Sequence, residues 1–130
     1  MATVTTKLTV SSSDLTSQIL SLSLSKAISA SHTTGLARTK VGQTAVNANA
    51  ALLYTADDYA ATAYVYVKNI DTTATNYVYV YDGTTSGDPV ILKLAGGEFA
   101  FMPTNADKLL KAYGTNATSV VEWMVFGVDQ

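Results

Sequence analysis

The sequence contains no cysteine, which excludes a disulfide framework, a thiolate nucleophile and a Cys-based zinc site. The fold must therefore hold on packing alone. Histidine occurs once, at His32, so a His-based metal cluster is excluded and any Ser-His-Asp triad would have to use that one residue. Charge is scarce: Asp, Glu, Lys and Arg make up 14% of 130 residues, where ordinary soluble domains carry roughly 25%. The 8 basic and 10 acidic residues leave a formal charge of -2 and no electropositive footprint of the kind phosphate backbones require. Direct nucleic-acid binding is not expected. Long apolar runs are also missing, since none approaches the ~20 residues needed to span a bilayer. The start, Met1 through Thr6, lacks the basic residues and apolar stretch of a secretory signal. The expectation is a protein made in a cytoplasm and not itself embedded in a membrane.

What the chain does contain is hydrophobic residues, 48% of the total, interleaved with neutral Thr and Ser. The length suits one domain, residues 1–130, with a single core. A surface with so little charge has little repulsion to keep copies apart, which fits a protein largely covered by partners. Period-two alternation dominates, and it places successive side chains on opposite faces of a strand. Val4, Thr6, Leu8 and Val10 share one face of a first segment, and Leu20, Leu22 and Leu24 alternate with Ser21, Ser23 and Ser25 in a second. Both read as half-buried strands, separated by the turn-forming stretch Ser11 to Asp14. Residues 1–13 are also candidates for an arm or an exchanged strand that orders against a neighbour.

Ala30 to Val46 is polar, punctuated by Gly35 and Gly42, and reads as a long loop or weak edge strand. Val46 to Tyr59 is open between a short helix, through Ala48, Ala50, Ala51, Leu52 and Leu53, and a strand through Leu53, Tyr54 and Thr55. Further on, Tyr64 to Lys68 and Tyr77 to Tyr81 are aromatic and β-branched runs joined by a polar loop containing Asn69, Asp71, Thr72 and Asn76, the pattern of a β-hairpin. Asp82, Gly83, Gly87, Asp88 and Pro89 form a turn cluster. Val90 to Leu94 then resumes strand character up to Gly96 and Gly97, and another hairpin follows. Glu98 to Met102 is closed by Pro103, Leu109 to Tyr113 by Gly114, and Ser119 to Val128 is a final apolar strand. Short strands at this spacing predict an all-β fold, an antiparallel β-sandwich or jelly-roll-like domain with an extended N-terminal segment.

No constellation of catalytic residues emerges, so the chain is read as a non-enzyme with no catalytic, cofactor-binding or metal-binding residues. His32 lies in the polar stretch Ser29 to Thr34, where a loop histidine is the simpler reading. Asp57 and Asp58 would supply half of a calcium site, but the spaced ligands of a known loop are missing. Asp82 and Asp88 flank a glycine-bearing loop, which a tight turn demands in any case. Glu98 and Glu122 would make a glycosidase pair only if they faced one cleft. Gly96 and Gly97 lack the spacing and lysine of a phosphate loop.

The aromatic pattern says more. Tyr64 and Tyr66 share a face of one strand, Tyr77, Tyr79 and Tyr81 share a face of the next, and the intervening valines share the other. Both faces can be dehydrated, one by the core and the other by a second layer, another chain or a ligand. Tyrosine suits such a boundary because its ring is apolar and its hydroxyl polar. The candidate subunit interface is therefore Thr3, Val4, Thr6, Leu8 and Val10 together with Tyr64, Tyr66, Tyr77, Tyr79 and Tyr81. Cross-strand packing within the domain, or a sugar-stacking platform, are the alternatives.

The runs Tyr64 to Asn69, Asn76 to Val78, Leu94 to Pro103 (with Gly96, Gly97, Glu98 and Phe99) and Val121 to Phe126 resemble small β-rich virion structural proteins of tailed bacteriophages, especially cyanophages. The resemblance covers about half the chain, from Tyr64 onward, and its motifs are those of strands and turns. It implies a virion component made in the bacterial host cytoplasm. The expected role is a capsid decoration or cement protein, with the major capsid protein and copies of itself, as a homotrimer, for partners. A tail, neck or baseplate part and a carbohydrate-binding receptor module are the alternatives it leaves open.

Overall fold

Each run in which valine alternates with tyrosine, lysine or alanine forms a strand, because the pleat sends the small β-branched side chains to one side. The structure, a computed structural model, describes residues 1–15, 17–42, 51–54, 58–83, 89–106 and 109–130. Every regular element among them is a β-strand and every pairing is antiparallel. The expected all-β class is what the chain adopts, in a sandwich-like arrangement.

The strands are β1 (Ala2–Ser12), β2 (Leu20–Ala30), β3 (His32–Thr33), β4 (Ala37–Lys40), β5 (Ala51–Tyr54), β6 (Tyr59–Asn69), β7 (Val78–Asp82), β8 (Val90–Leu94), β9 (Phe99–Asn105), β10 (Leu110–Gly114) and β11 (Val120–Asp129). One sheet runs β5-β10-β7-β8, and the other runs β3-β11-β6-β9 with β4 also paired to β11. Between them lie Val65 and Val67 of β6, Val78 and Val80 of β7, Leu110 and Ala112 of β10, and Val121 and Val125 of β11, all buried in one cluster. The third sheet is a hairpin of β1 and β2 alone, in register from Ala2 opposite Ala30 to Ser12 opposite Leu20. Its turn is fixed by Ser12, whose hydroxyl donates to the Asp14 carboxylate at 3.0 Å and accepts from the Leu15 N–H at 3.0 Å.

Three expectations need correction, and one open reading is resolved. The runs Tyr64 to Lys68 and Tyr77 to Tyr81 are not a hairpin: β6 pairs with β11 and β9, while β7 pairs with β10 and β8. The polar loop between them crosses from one sheet to the other, so the valines of the two strands share the space between the layers instead of lying side by side. Asn69 makes this corner. It is fully buried, its amide donates to the carbonyls of Asn76 (2.7 Å) and Leu94 (3.0 Å), and its side-chain oxygen accepts from the Asp71 N–H at 3.1 Å. The β8–β9 turn packs into the same corner, where Gly97 at φ 86° donates to the Asn69 carbonyl and a Cβ on Gly96 would collide with the Thr73 carbonyl. β8 therefore forms its hairpin with β7, and β9 returns to the other sheet.

Second, Pro103 does not close its strand, since β9 continues to Asn105. β9 is an edge strand, and one side of an edge makes no ladder bonds, so the missing N–H is tolerated there. Third, the open segment before Tyr59 includes a strand, β5, and no described helix; residues 43–50 and 55–57, with Val46, Ala48, Ala50 and Thr55, lie outside the described residues. Fourth, the first two segments are strands but are not half-buried along their length. Of their large apolar side chains only Ile28 is buried, while Leu8, Val10, Leu22 and Leu24 are 41–56% exposed. Ala30 to Val46 does hold the expected weak edge strand, as the short pieces β3 and β4, which flank Gly35 at φ 68°.

Candidate interaction surfaces

Strict alternation along both strands, in unbroken register, sorts the hairpin's side chains. Cross-strand partners share a face, so Val4 with Ile28, Leu8 with Leu24, and Val10 with Leu22 make one apolar face. The opposite face carries Thr3, Thr5, Thr9, Ser21, Ser23 and Ser29. The hairpin is fastened at one end only: Val4, Ile28 and Ala30 pack on Tyr64, Met124 and Phe126 of the five-stranded sheet. Toward the turn the apolar face continues without cover. Thr6, on that face, donates from its hydroxyl to the Lys26 carbonyl at 3.2 Å and so ties the two strands together.

The outer face of the five-stranded sheet meets the hairpin. Rows across β11, β6 and β9 read Phe126, Tyr64, Pro103; then Met124, Tyr66, Phe101; then Glu122, Lys68, Phe99. Phe126, Tyr64 and Phe101 form an aromatic cluster with ring centroids 5.5–6.3 Å apart. Tyr66 ends in a polar network: its hydroxyl donates to Glu122 Oε1 at 3.0 Å, and Arg38 Nε donates to Glu122 Oε2 at 3.0 Å. These two hydrogen bonds hold the Glu122 carboxyl below the usual carboxylate range, and burial followed by the Glu122 contact raises the Tyr66 phenol. A carboxyl held in its ionised form is the reverse of what a general acid needs. Glu98 stands at the β8–β9 turn, where its carboxylate accepts from the Ala95 N–H at 2.8 Å.

Tyr77, Tyr79 and Tyr81 lie on the outer face of the other sheet. The ten candidate interface residues therefore do not share one surface: Thr3 faces away from Val4, Thr6, Leu8 and Val10 on the hairpin, Tyr64 and Tyr66 lie beneath the hairpin side, and Tyr77 and Tyr79 lie on the opposite side of the sandwich, with Tyr81 buried. Tyr79 stacks on Tyr113 at 5.0 Å, Tyr81 meets Tyr113 edge-on at 5.7 Å and is itself buried, and Lys93 sits 4.1 Å over the Tyr77 ring. Packing within the domain accounts for much of this group. Phe99, Phe101, Leu22 and Leu24 were not among the candidates, yet each is 41–64% exposed. The signal that would have found them was the in-register pairing of the two N-terminal segments.

Among the described residues no three His, Asp or Glu side chains converge as metal ligands would. His32 Nδ1 lies 3.8 Å from the Asp129 carboxylate and its ring is edge-on to Tyr59. Asp58 is exposed, and Asp57, Gly87 and Asp88 lie outside the described residues. No family model matches the chain, and no curated protein or solved structure matches it.

Proposed function

We propose that the chain is a structural component of a bacteriophage virion, a decoration or cement protein that binds the outer shell of the capsid and braces adjacent subunits. The observation that supports this reading is the hairpin, which is anchored to a folded sandwich at one end and presents an uncovered apolar face along the rest of its length. A two-stranded ribbon is marginal in water by itself, so such a face fits a segment completed by another polypeptide. The resemblance of residues 64–126 to small phage virion proteins supplies the virion, and the low charge fits a surface covered by neighbours. Major capsid protein and further copies of the chain are the partners of this reading.

The test is to incubate the purified chain with capsids lacking it, sediment the mixture and reconstruct the particles. Co-sedimentation with density on the outer shell is the expected outcome. Density confined to the tail or baseplate would overturn the decoration role, and absence from the virion would overturn the reading altogether.

A further inference from the structure

Two strips of apolar side chains lack cover. The first is the free part of the hairpin face, Leu8, Val10, Leu22 and Leu24, of which Leu8 and Leu24 line a cleft shared with Phe99 and Phe101, while Val10 and Leu22 continue the face beyond it. The second is the rim of the five-stranded sheet, where Phe99 is 64% and Phe101 42% exposed. Tyr66 and Met124 also line the cleft.

We propose that this cleft is the contact between copies of the chain, in which the hairpin of one copy lays its Leu8, Val10, Leu22 and Leu24 face against the same face and the Phe99–Phe101 rim of another. The inference rests on reading the chain as an assembling structural protein, and it names the copy-to-copy surface. Three observations choose a second copy as the occupant. First, the stripe is extended and regular: apolar side chains recur every second residue, or ~6.7 Å, and a partner needs the same repeat to interdigitate along it. The chain carries that partner surface itself, since Leu8 opposite Leu24 and Val10 opposite Leu22 are symmetric apolar pairs. Second, area demands both strips. The free part of the ribbon, about five residues or ~17 Å long and ~10 Å wide, has a footprint of roughly 170 Å², well short of the ~800 Å² per partner that a stable complex buries. The aromatic side chains at the rim add the exposed part of the roughly 150–250 Å² that each can bury. One molecule that offers both strips can exchange both with its twin. Third, charge is sparse along the stripe: Lys7, Asp14 and Lys26 are the only charged side chains in residues 1–30, and Lys26, the one on the apolar face, sits opposite Thr6 at the anchored end of the Leu8, Val10, Leu22 and Leu24 strip. The Thr and Ser face stays in water, which makes the contact one-sided and favours a closed assembly over open stacking.

The absence of cysteine makes the test direct. Leu22→Cys and Ser23→Cys place single thiols on opposite faces of the same strand. On mild oxidation of the full-length chain, L22C is expected to form a covalent dimer and S23C is not. In sedimentation equilibrium the parent chain should associate, L22D/L24D should weaken association by roughly 100-fold or more, and F101S by roughly tenfold. Thermal melting of the dilute double variant should match the parent, because these side chains lie outside the sandwich core. A parent chain that stays monomeric at ~100 µM, which is weaker than ordinary specific association, would overturn the proposal. Equal crosslinking from both faces, or unchanged association of L22D/L24D, would do the same. A monomeric chain that still coats capsids would leave the virion role standing, and a self-associating chain absent from virions would remove only that role.

Discussion

β2 and β6 are both eleven residues long and both offer one largely apolar face, interrupted in β2 by Lys26, yet they end in opposite circumstances. In β6 the residues Ala63, Val65 and Val67 are completely buried, sealed by the facing sheet. In β2 the equivalent positions Leu22 and Leu24 are about half exposed. Alternation in a sequence thus reports that a face needs to be dehydrated and is silent on what dehydrates it. Within one chain the answer is a second sheet for β6. For β2 it is the sandwich at Ile28 and Ala30, and nothing described beyond them.

The sharpest way to break this contrast is to remove equal amounts of side chain from the two regions. Leu110→Ala, in the buried cluster, should lower unfolding free energy by about 2–5 kcal/mol through lost burial and the cavity left behind. Leu22→Ala should change the free monomer by no more than about 0.5 kcal/mol. Chemical denaturation of both variants at low concentration checks the pair. Comparable losses would mean that the hairpin is part of the cooperative core.

The corner at Asn69 comes next in size. Asn69→Ala deletes three hydrogen bonds in a fully buried setting and leaves the Leu94 and Asn76 carbonyls and the Asp71 N–H without that partner. Stability should fall by about 1–3 kcal/mol. The hairpin turn offers the matching control, since Ser12→Ala removes the hydroxyl that organises an exposed turn and should shift the melting temperature only slightly. If Asn69→Ala melted like the parent, the corner would not be what holds the crossing between the sheets.

Asn69 also marks where the sequence stops being legible. The strands from Tyr64 onward could be read from Val and Tyr alternation, and so could the sandwich class. Whether two neighbouring strands pair or cross was hidden, because a polar loop with Asn, Asp and Thr serves either purpose. The deciding contact, Asn69 to Leu94, spans 25 residues. The tyrosines show the same limit. Their common face along each strand was evident, but the crossing sends Tyr66 and Tyr79 to opposite sides of the molecule. On the hairpin, Val4, Leu8 and Val10 were readable as one face, whereas their cross-strand partners Leu22 and Leu24 needed the register. Phe99 and Phe101 looked like part of an ordinary strand, and only their place on an edge beside the hairpin leaves them uncovered.

Acid should separate the two regions more gently. The Glu122 carboxyl is held low chiefly by Tyr66 and Arg38, and that of Asp71 chiefly by the Thr73 N–H and Asn76. A carboxyl whose folded pKa lies below its unfolded value, ~4 for these residue types, binds fewer protons when folded. Its contribution is therefore complete above pH ~5 and is lost as pH falls through the lowered folded value. Melting temperature against pH should decline on the acid side, and Glu122→Gln should flatten part of that decline. The hairpin carries only Asp14 as an acid, so copy-to-copy association should follow pH less than the melting of the sandwich does.

Salt should give the smallest effect, and it tests the nature of the contact most directly. Between ~0.1 M and ~1 M ionic strength the screening length shrinks from ~10 Å to ~3 Å, so any attraction between exposed charges fades across that range. The Arg38–Glu122 pair, with Arg38 68% exposed, is such a contact and should weaken. Leucine, valine and phenylalanine at the hairpin cleft gain by leaving water, a gain that counterions do not screen. Sedimentation in sodium chloride should accordingly show copy-to-copy affinity changing by less than about threefold across the range. A loss of tenfold or more on reaching moderate salt would show that charges hold the copies together. With only Lys7, Asp14 and Lys26 available on the hairpin, that result would move the contact away from the hairpin face, to the parts of the sandwich where the remaining charged residues lie.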